Sequence, residues 1–431
     1  PSPNNQFLAI GIDTQGNYRF FIMIFNLITG EFLAENIPNT WGKCIWHPDN
    51  NRIFYSEKDH TNRNLYIKQH WLGFNNPEDD ELIFEEKDVM FSVYLSQSKS
   101  KRYMLLGSES TSSTEFSYID LQDENLKLHT IIPRKKHHLY YPLQHGDSFY
   151  ILTNSDNHIE NKIVKAPLNN PKKENWTTIY KPNKNYTFEN FTIINKHLII
   201  LERHNILPSF KIVNLETDSI NTISFDENLY YLGFKDNFES NSEYFRFEYS
   251  SPITPEIIYE YNFENQELKP RYTKNLNENY NPDNYIIERK DVWDRQKKVK
   301  IPLTLIYHKD FYLQNGENPL YLYGYGSYGS ITESYFVNSY ISLMDRGVTI
   351  AIAHVRGSGD LGKQWYEDGK MLQKMNTFTD FIDCANFIIE NNISAPERLF
   401  ASGVSAGGLL MGGIANMAPE LFKGIIAEVP F

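Results

Sequence analysis

A short apolar strand that breaks into a polar turn recurs along the first two thirds of the chain. The break occurs at Phe25-Asn26-Leu27, Ile119-Asp120-Leu121, Ala166-Pro167-Leu168, Val213-Asn214-Leu215 and Tyr261-Asn262-Phe263. The successive spacings are 94, 47, 47 and 48 residues, and the double gap leaves room for one more unit around Lys68 to Gly73. A period near 47 with several strands per unit predicts β-propeller blades, of which six endings are visible. The alternative for these strands is an irregular β-sandwich.

The character of the sequence changes near residue 285. Before it, runs rich in Val, Ile, Phe and Tyr alternate with turn residues, and helical periodicity is almost absent. After it, the patterns predict strands over 299–308, 319–323, 348–355 and 423–429, and helices over 334–344, 377–390 and 407–417. Strands alternating with helices predict a mostly parallel sheet covered on both faces. We therefore predict a β-propeller domain over 1–284 and an α/β domain over 285–431.

The segment Gly403-Val404-Ser405-Ala406-Gly407-Gly408 has the pattern of a nucleophile elbow. The apolar run before it supplies a strand, and the Leu-rich run after it supplies a helix. A serine at the apex of such a turn has a strained backbone and leaves little room for neighbouring side chains, which explains the glycines. Ser405 is thus the candidate nucleophile of an α/β-hydrolase domain.

A second glycine-rich segment, Tyr323-Gly324-Tyr325-Gly326-Ser327-Tyr328-Gly329, follows a predicted strand about 80 residues before Ser405. In this scaffold, such a loop supplies part of the oxyanion hole. The backbone N–H of Ala406 is the natural first donor, and the Tyr325 hydroxyl is the candidate second donor. The alternative is that these tyrosines pack at a sheet edge.

The acid and base that normally follow the serine are missing from the sequence after it. Residues 406–431 contain no Asp and no His. His308, His354, Asp360, Asp380 and Asp383 all precede Ser405, which is the wrong chain order for this scaffold, so we interpret them as structural groups. We therefore expect the 431 residues to be inactive alone.

Two stretches, Gly324 to Gly329 and Gly357 to Gly362, fit the dinucleotide pattern G-x-G-x-x-G. A nicotinamide-dependent reductase is thus an alternative, with Arg356 as the residue that would bind a 2′-phosphate. The first match lacks the acidic residue that should end the next strand, and the second opens into a polar run instead of a packed helix. Neither match accounts for the elbow.

The composition argues against several other classes of protein and kinds of site. The formal charge of −12 argues against a nucleic-acid partner, and two distant cysteines with no clustered His/Cys spacing argue against a disulfide framework or a metal. No apolar run approaches a membrane span, and the first residues do not form a signal peptide. We predict a cytoplasmic protein without cofactor, metal or membrane partner, and we interpret the basic run 134–138 as a solvated loop.

The order of propeller and hydrolase, together with four motifs, resembles the prolyl oligopeptidase family, and within it the oligopeptidase B branch. The motifs are 322–329, His354-Val355-Arg356-Gly357, 364–370 and the elbow at 403–408. The resemblance covers essentially the whole chain. It implies a cytosolic serine peptidase that cuts short peptides after Arg or Lys, with a seven-bladed propeller over the active site.

Site roles follow from the resemblance residue by residue. It implies that Ser405 is the nucleophile, that Ala406 N–H and the Tyr325 hydroxyl are oxyanion donors, and that Tyr328 is a wall of the specificity pocket. Family members that favour adjacent basic residues carry two carboxylates two positions apart after this loop. Glu333 matches the first and is implied to bind substrate, whereas Tyr335 stands at the second, so a dibasic preference is not implied.

The same resemblance implies that both termini are truncated. Six blade endings instead of seven suggest a missing N-terminal extension and blade, and the family's triad Asp and His and its specificity glutamates would fall after Phe431. Alternatives within the family are a prolyl oligopeptidase, an acylaminoacyl peptidase or an esterase. A peptide-binding propeller beside an inactive hydrolase domain is the alternative of a different class.

Overall fold

The computed structural model describes residues 1–73, 76–157, 159–276 and 280–431. They form two compact units, Pro1–Lys181 and Pro182–Phe431. The division does not fall at residue 284, because residues of the repeat region and of the α/β region share one core in the second unit, including Ile206, Leu229, Ile306 and Ile350. The domain boundary near residue 284 stays a prediction.

The described part of the first unit contains three antiparallel sheets. The first has six strands in chain order: β1 (Phe7–Ile12), β2 (Phe20–Asn26), β3 (Glu31–Trp46), β4 (Arg52–Lys58), β5 (Asn64–Trp71) and β6 (Glu81–Glu85). The second comprises β7 (Ser92–Gln97), β8 (Tyr103–Glu109), β9 (Thr114–Asp120) and β10 (His129–Ile132). The third comprises β11 (Tyr140–His145), β12 (Ser148–Thr153), β13 (Lys162–Pro167) and β14 (Thr177–Tyr180).

The second unit continues the four-stranded pattern with two further antiparallel sheets. One comprises β15 (Tyr186–Ile194), β16 (His197–His204), β17 (Leu207–Asn214) and β18 (Ile220–Ile223). The other comprises β19 (Tyr231–Phe234), β20 (Tyr244–Ser250), β21 (Ile257–Asn262) and β22 (Leu268–Thr273). In each of the four-stranded sheets, the third strand ends at one of the repeated break points.

The long strand β3 explains why the first sheet has six strands. Its first part, Glu31 to Thr40, pairs with β2, and its second part, Thr40 to Trp46, pairs with β4 after a register shift. The strand β3 therefore belongs to two successive repeats. The break point at Asn26 is the end of β2, which belongs to the first of these repeats. The strand β5 is the third of the next repeat, and it ends at Trp71, inside the gap where the missing unit was predicted.

The remaining sheet of the second unit is mixed. Its strands are β23 (Tyr285–Trp293), β24 (Lys300–His308), β25 (Leu320–Tyr323), β26 (Thr349–Ala353), β27 (Leu399–Val404) and β28 (Gly424–Glu428). Their spatial order is β23-β24-β26-β25-β27-β28; the last four pair in parallel, whereas β23 and β24 are antiparallel. The described helices are α1 (Asn338–Met344), α2 (Lys363–Glu367), α3 (Met375–Glu390) and α4 (Ala406–Met417). None of these has the length and apolar character to cross a bilayer.

The inner parallel strands, β25, β26 and β27, are more buried than the edge strand β28, because helices pack against them. All five residues of β26 are buried, and Leu322, Ala401, Phe381 from α3 and Leu410 from α4 share one core. Such continuous apolar runs are typical of parallel strands covered on both faces. This packing fixes the carboxyl ends of β25 and β27, where the two glycine-rich segments begin.

Two local predictions were wrong. The helix predicted over 334–344 begins only at Asn338, because Val337 is extended and the Phe336 N–H makes a tertiary contact, donating to Ser250 Oγ at 3.0 Å. The polar run after Gly362 was predicted to be non-helical, but it begins with the five-residue helix α2, whose Trp365 is buried. In both places tertiary contacts override the local pattern.

Candidate active site

Ser405 lies at the sharp turn between β27 and α4. Its φ of 56° and ψ of −116° are a strained conformation for a residue with a side chain. Two backbone hydrogen bonds hold the turn: the Ser405 N–H donates to Glu428 O at 2.9 Å, and the Gly408 N–H donates to Ser405 O at 2.8 Å. The conformation is the one that the elbow pattern predicts.

The glycine two positions before Ser405 is required by a close approach of backbone. A side-chain carbon on Gly403 would lie 2.4 Å from Gly407 O and 3.0 Å from Gly324 O. The Gly324 N–H also donates to Ser402 O at 3.2 Å, which continues the pairing of β25 with β27. The elbow and the loop after β25 are therefore in direct contact.

Both predicted oxyanion donors lie beside the start of α4. Ala406 is the first residue of that helix, and an N–H at this position has no acceptor within the helix. The ring atom Cδ2 of Tyr325 lies 3.4 Å from where a side-chain carbon on Gly407 would be. The positive end of the helix dipole also favours negative charge here.

A cavity of about 540 Å³ adjoins the elbow. Val404, Tyr325 and Glu333 line it, together with four further tyrosines: Tyr321, Tyr323, Tyr335 and Tyr340. Both charged side chains among its described lining residues, Glu333 and Glu428, are acidic. The structure thus brings Tyr325 and Glu333 into one cavity. It does not bring Tyr328 there, since that side chain is 68% exposed and is not among the lining residues.

Glu333 has a partner that the sequence did not reveal. Arg203 on β16 is buried, its Nη2 lies 3.4 Å from Glu333 Oε2, and its Nε donates to Glu189 Oε1 at 2.5 Å. Burial raises the pKa of Glu333 to about 7, since Arg203 is shared with Glu189 and the Glu189 and Asp360 charges oppose its attraction. Glu333 therefore titrates near neutral pH.

The histidines and aspartates that precede Ser405 have structural contacts. His354 is buried and its Nε2 lies 3.0 Å from Thr304 Oγ1, whereas its Nδ1 is 3.4 Å from Asp360 Oδ1 without forming a hydrogen bond. Asp360 Oδ1 accepts a hydrogen bond from the Thr332 N–H. Among the described residues, the Ser405 hydroxyl has no hydrogen-bond partner, and neither His354 nor His308 contacts it.

The residue that would bind a phosphate in the reductase alternative, Arg356, is already paired with a carboxylate. Arg356 is buried, and its Nε donates to Asp380 Oδ2 at 2.9 Å, with a second bond from Nη2 to Oδ1 at 2.5 Å. The guanidinium is therefore occupied by a carboxylate. After the first glycine match, no helix begins in the described chain until Asn338, so a pyrophosphate would find no helix N-terminus there.

Sequence reasoning missed the residues that support the site from elsewhere in the chain. Arg203 lies 130 positions from Glu333, and Lys374 contacts the loop that carries Tyr325 from 48 positions away. The alternating tyrosines at 321, 323 and 325 were a signal for the aromatic cavity wall, because alternate residues of a strand share a face. No local pattern marked Arg203.

Two family models match the chain. Residues 1–274 match the model described as "Prolyl oligopeptidase, N-terminal beta-propeller domain", and residues 334–431 match the model described as "Prolyl oligopeptidase family". The dipeptidyl aminopeptidase BI of Pseudoxanthomonas mexicana is 35% identical over 437 residues, which cover 100% of this chain and 59% of that protein. Protease 2 of Moraxella lacunata is 33% identical over 427 residues, which cover 98% of this chain and 61% of that protein.

A solved structure is similar over the whole length. Oligopeptidase B from Leishmania major matches with a TM-score of 0.94 at 29% identity, covering 100% of this chain and 61% of that one. Together with the family models, this confirms the predicted fold, a β-propeller followed by elements of an α/β-hydrolase domain. The chain spans about three-fifths of the length of the curated relatives described above.

Proposed function

The chain belongs to the prolyl oligopeptidase family of serine peptidases, and we propose that its protein hydrolyses short peptides on the carboxyl side of Arg or Lys. The observation that carries the proposal is the backbone of Ser405, strained at φ 56° between β27 and α4, with the Ala406 N–H beside it. In the proposed reaction, this geometry would let the Ser405 hydroxyl and the Ala406 N–H act on the same substrate carbonyl.

The proposed reaction proceeds through an acyl-enzyme. Ser405 Oγ attacks the scissile carbonyl carbon while its proton passes to a histidine base, and the Ala406 N–H and Tyr325 hydroxyl donate to the developing oxyanion. Collapse of the intermediate breaks the C–N bond, and the protonated base gives its proton to the leaving amine. Water then repeats the sequence and releases Ser405. In this proposal the base is not one of the described histidines, since neither His354 nor His308 contacts Ser405.

The charge of the cavity supports cationic substrates. Glu333 and Glu428 line it, and the Ser405 N–H donates to the Glu428 carbonyl, so this acidic residue adjoins the nucleophile. Once ionised, a carboxylate in a partly enclosed cavity attracts Arg and Lys side chains. Tyr335 in place of a second carboxylate, and the pairing of Glu333 with Arg203, support a preference for a single basic residue over a dibasic pair.

One comparison favours a second candidate. The relative from Pseudoxanthomonas mexicana is named a dipeptidyl aminopeptidase, so removal of dipeptides from a free N-terminus is the rival activity. Prolyl, acylaminoacyl and ester substrates are the further alternatives. A panel of chromogenic peptides with Arg, Lys or Pro before the scissile bond, each with free and blocked N-termini, separates these activities.

The test uses the whole protein encoded by the gene, with Ser405→Ala as control. We expect cleavage after Arg and Lys in blocked and free peptides, and labelling of Ser405 by a fluorophosphonate; both should vanish in Ser405→Ala. Labelling with cleavage only after Pro contradicts the proposed specificity. Absence of labelling supports a peptide-binding propeller beside an inactive hydrolase domain. We expect the isolated 431-residue chain neither to cleave nor to label, because no described histidine forms a hydrogen bond with Ser405. A cytoplasmic location stays a prediction.

A further inference from the structure

Lys374 is tied to the loop that carries Tyr325. Its Nζ donates to Gly326 O at 2.6 Å and to Ser327 Oγ at 2.7 Å. Both acceptors belong to residues that immediately follow Tyr325. The ammonium thus ties the Gly326 carbonyl and the Ser327 hydroxyl, which directly follow Tyr325 in the chain, to the start of α3.

The Lys374 side chain is partly buried and has no carboxylate partner in the described part of the chain. Among the described residues, no Asp or Glu forms a salt bridge with it; Asp380 of the adjoining helix α3 pairs with Arg356 instead. Burial lowers the pKa of Lys374 to about 8. Burial of an ammonium without a carboxylate partner costs free energy, which its other hydrogen bonds must offset. Its described hydrogen bonds both go to the loop.

The loop is also closely packed around Gly326. Gly326 has a φ of +67°, and a side-chain carbon there would lie 2.4 Å from Thr377 Cγ2 and 2.6 Å from Val355 Cγ2. Thr377 belongs to α3, a helix of 16 residues with eight buried side chains, and Lys374 immediately precedes that helix. The loop therefore packs against α3 on one side and against Val355, two residues after β26, on the other.

We propose that Lys374 is a positioning residue for the oxyanion loop, acting through Gly326 and Ser327 to hold the Tyr325 hydroxyl where the tetrahedral intermediate forms. This inference rests on the proposed function. A positioning role affects the transition state more than the bound substrate, because the hydrogen bond from Tyr325 strengthens only as negative charge develops on the carbonyl oxygen.

The test compares Lys374→Met, Lys374→Arg and wild type in the whole protein. We expect Lys374→Met to lower kcat by about 10- to 100-fold with KM within about 2-fold, less than or similar to the 10²–10³-fold loss seen when an oxyanion donor is removed. A peptidyl-arginine aldehyde, whose adduct with serine places an oxygen in the oxyanion hole, should lose affinity by the same factor. Lys374→Arg should restore part of kcat.

Two further variants keep the inference testable if Lys374→Met folds poorly. Ser327→Ala removes one acceptor only and should lower kcat by a smaller factor; combined with Lys374→Met it should add almost nothing, since both act on one contact. Lys370→Met is the matched control, because that partly exposed lysine pairs with Glu367 and not with Gly326 or Ser327, and it should leave kcat unchanged. Thermal unfolding of each variant measures any purely structural effect.

Different outcomes refute the proposed function and the proposed role of Lys374. If the wild-type protein neither cleaves Arg peptides nor labels with a fluorophosphonate, the proposed function fails and this inference fails with it. If wild type cleaves and Lys374→Met retains kcat and aldehyde affinity within about 3-fold, only the inference is refuted. A variant that loses thermal stability while its aldehyde affinity is unchanged likewise assigns Lys374 a structural role and refutes positioning.

Discussion

The charge state of Glu333 yields a prediction with a defined sign. Its pKa is raised by burial from 4.5 to about 7, so the folded protein binds this proton more tightly than the unfolded chain between those pH values. Stability is therefore lost as pH rises through that window. The difference corresponds to at most ~3 kcal/mol at 1.36 kcal/mol per pKa unit. Because the side chain is 29% exposed, solvent screening reduces the expected effect to ~1–2 kcal/mol.

Glu333→Gln removes the titration and keeps the size of the side chain. We expect the free energy of unfolding of Glu333→Gln, minus that of wild type, to rise by ~1–2 kcal/mol between pH 5 and pH 8. Urea unfolding at pH 5, 6, 7 and 8, followed by circular dichroism, measures this difference in the 431-residue chain. The exposed Glu264→Gln is the matched control and should follow wild type. Parallel pH curves for wild type and Glu333→Gln, or a difference of opposite sign, refute the reasoning.

Two further predictions concern the elbow and its loop. Tyr325→Phe in the whole protein should lower kcat by about 10²–10³-fold with little change in KM, because it removes one oxyanion donor; Tyr321→Phe in the same cavity is the control, and equal losses in both would contradict a specific role. Gly403→Ala places a carbon 2.4 Å from Gly407 O and should destabilise the chain by ~1–3 kcal/mol, measured by urea unfolding. Gly412→Ala in the following helix α4, where the added carbon meets nothing within 4 Å, should be neutral or stabilising.

Much of the fold could be predicted because the signals are local. The break points recur at the ends of third strands, since each repeat buries the same faces and turns at the same place. The extra strand pair β1 and β2 could not be assigned in advance, because only the register shift within β3 reveals that one strand serves two repeats. Similarly, no local pattern indicated that the Phe336 N–H donates to Ser250 in the repeat region and that the helix begins only at Asn338.

The elbow could be predicted for a related reason. The turn requires a glycine at 403 and a strained serine at 405. Because these requirements fall on a few consecutive residues, they produce a recognisable sequence motif. Lys374 produces none, because its role depends on the distance between its Nζ and Gly326 O across a fold. The residues that perform chemistry are thus visible in short motifs, whereas those that position them are visible only in three dimensions.

For Glu333, the motif predicted the location of the side chain in the cavity but not its protonation state. The resemblance matches this residue to a substrate-binding carboxylate, and the structure does bring it into the cavity beside the elbow. Its protonation state, however, depends on Arg203, which is shared with Glu189, and on the nearby Asp360 charge. At pH below about 7 the group is largely protonated and attracts a cationic side chain weakly. A basic residue at the neighbouring subsite should therefore be favoured more at alkaline than at acidic pH, and in Glu333→Gln this pH dependence of kcat/KM should disappear.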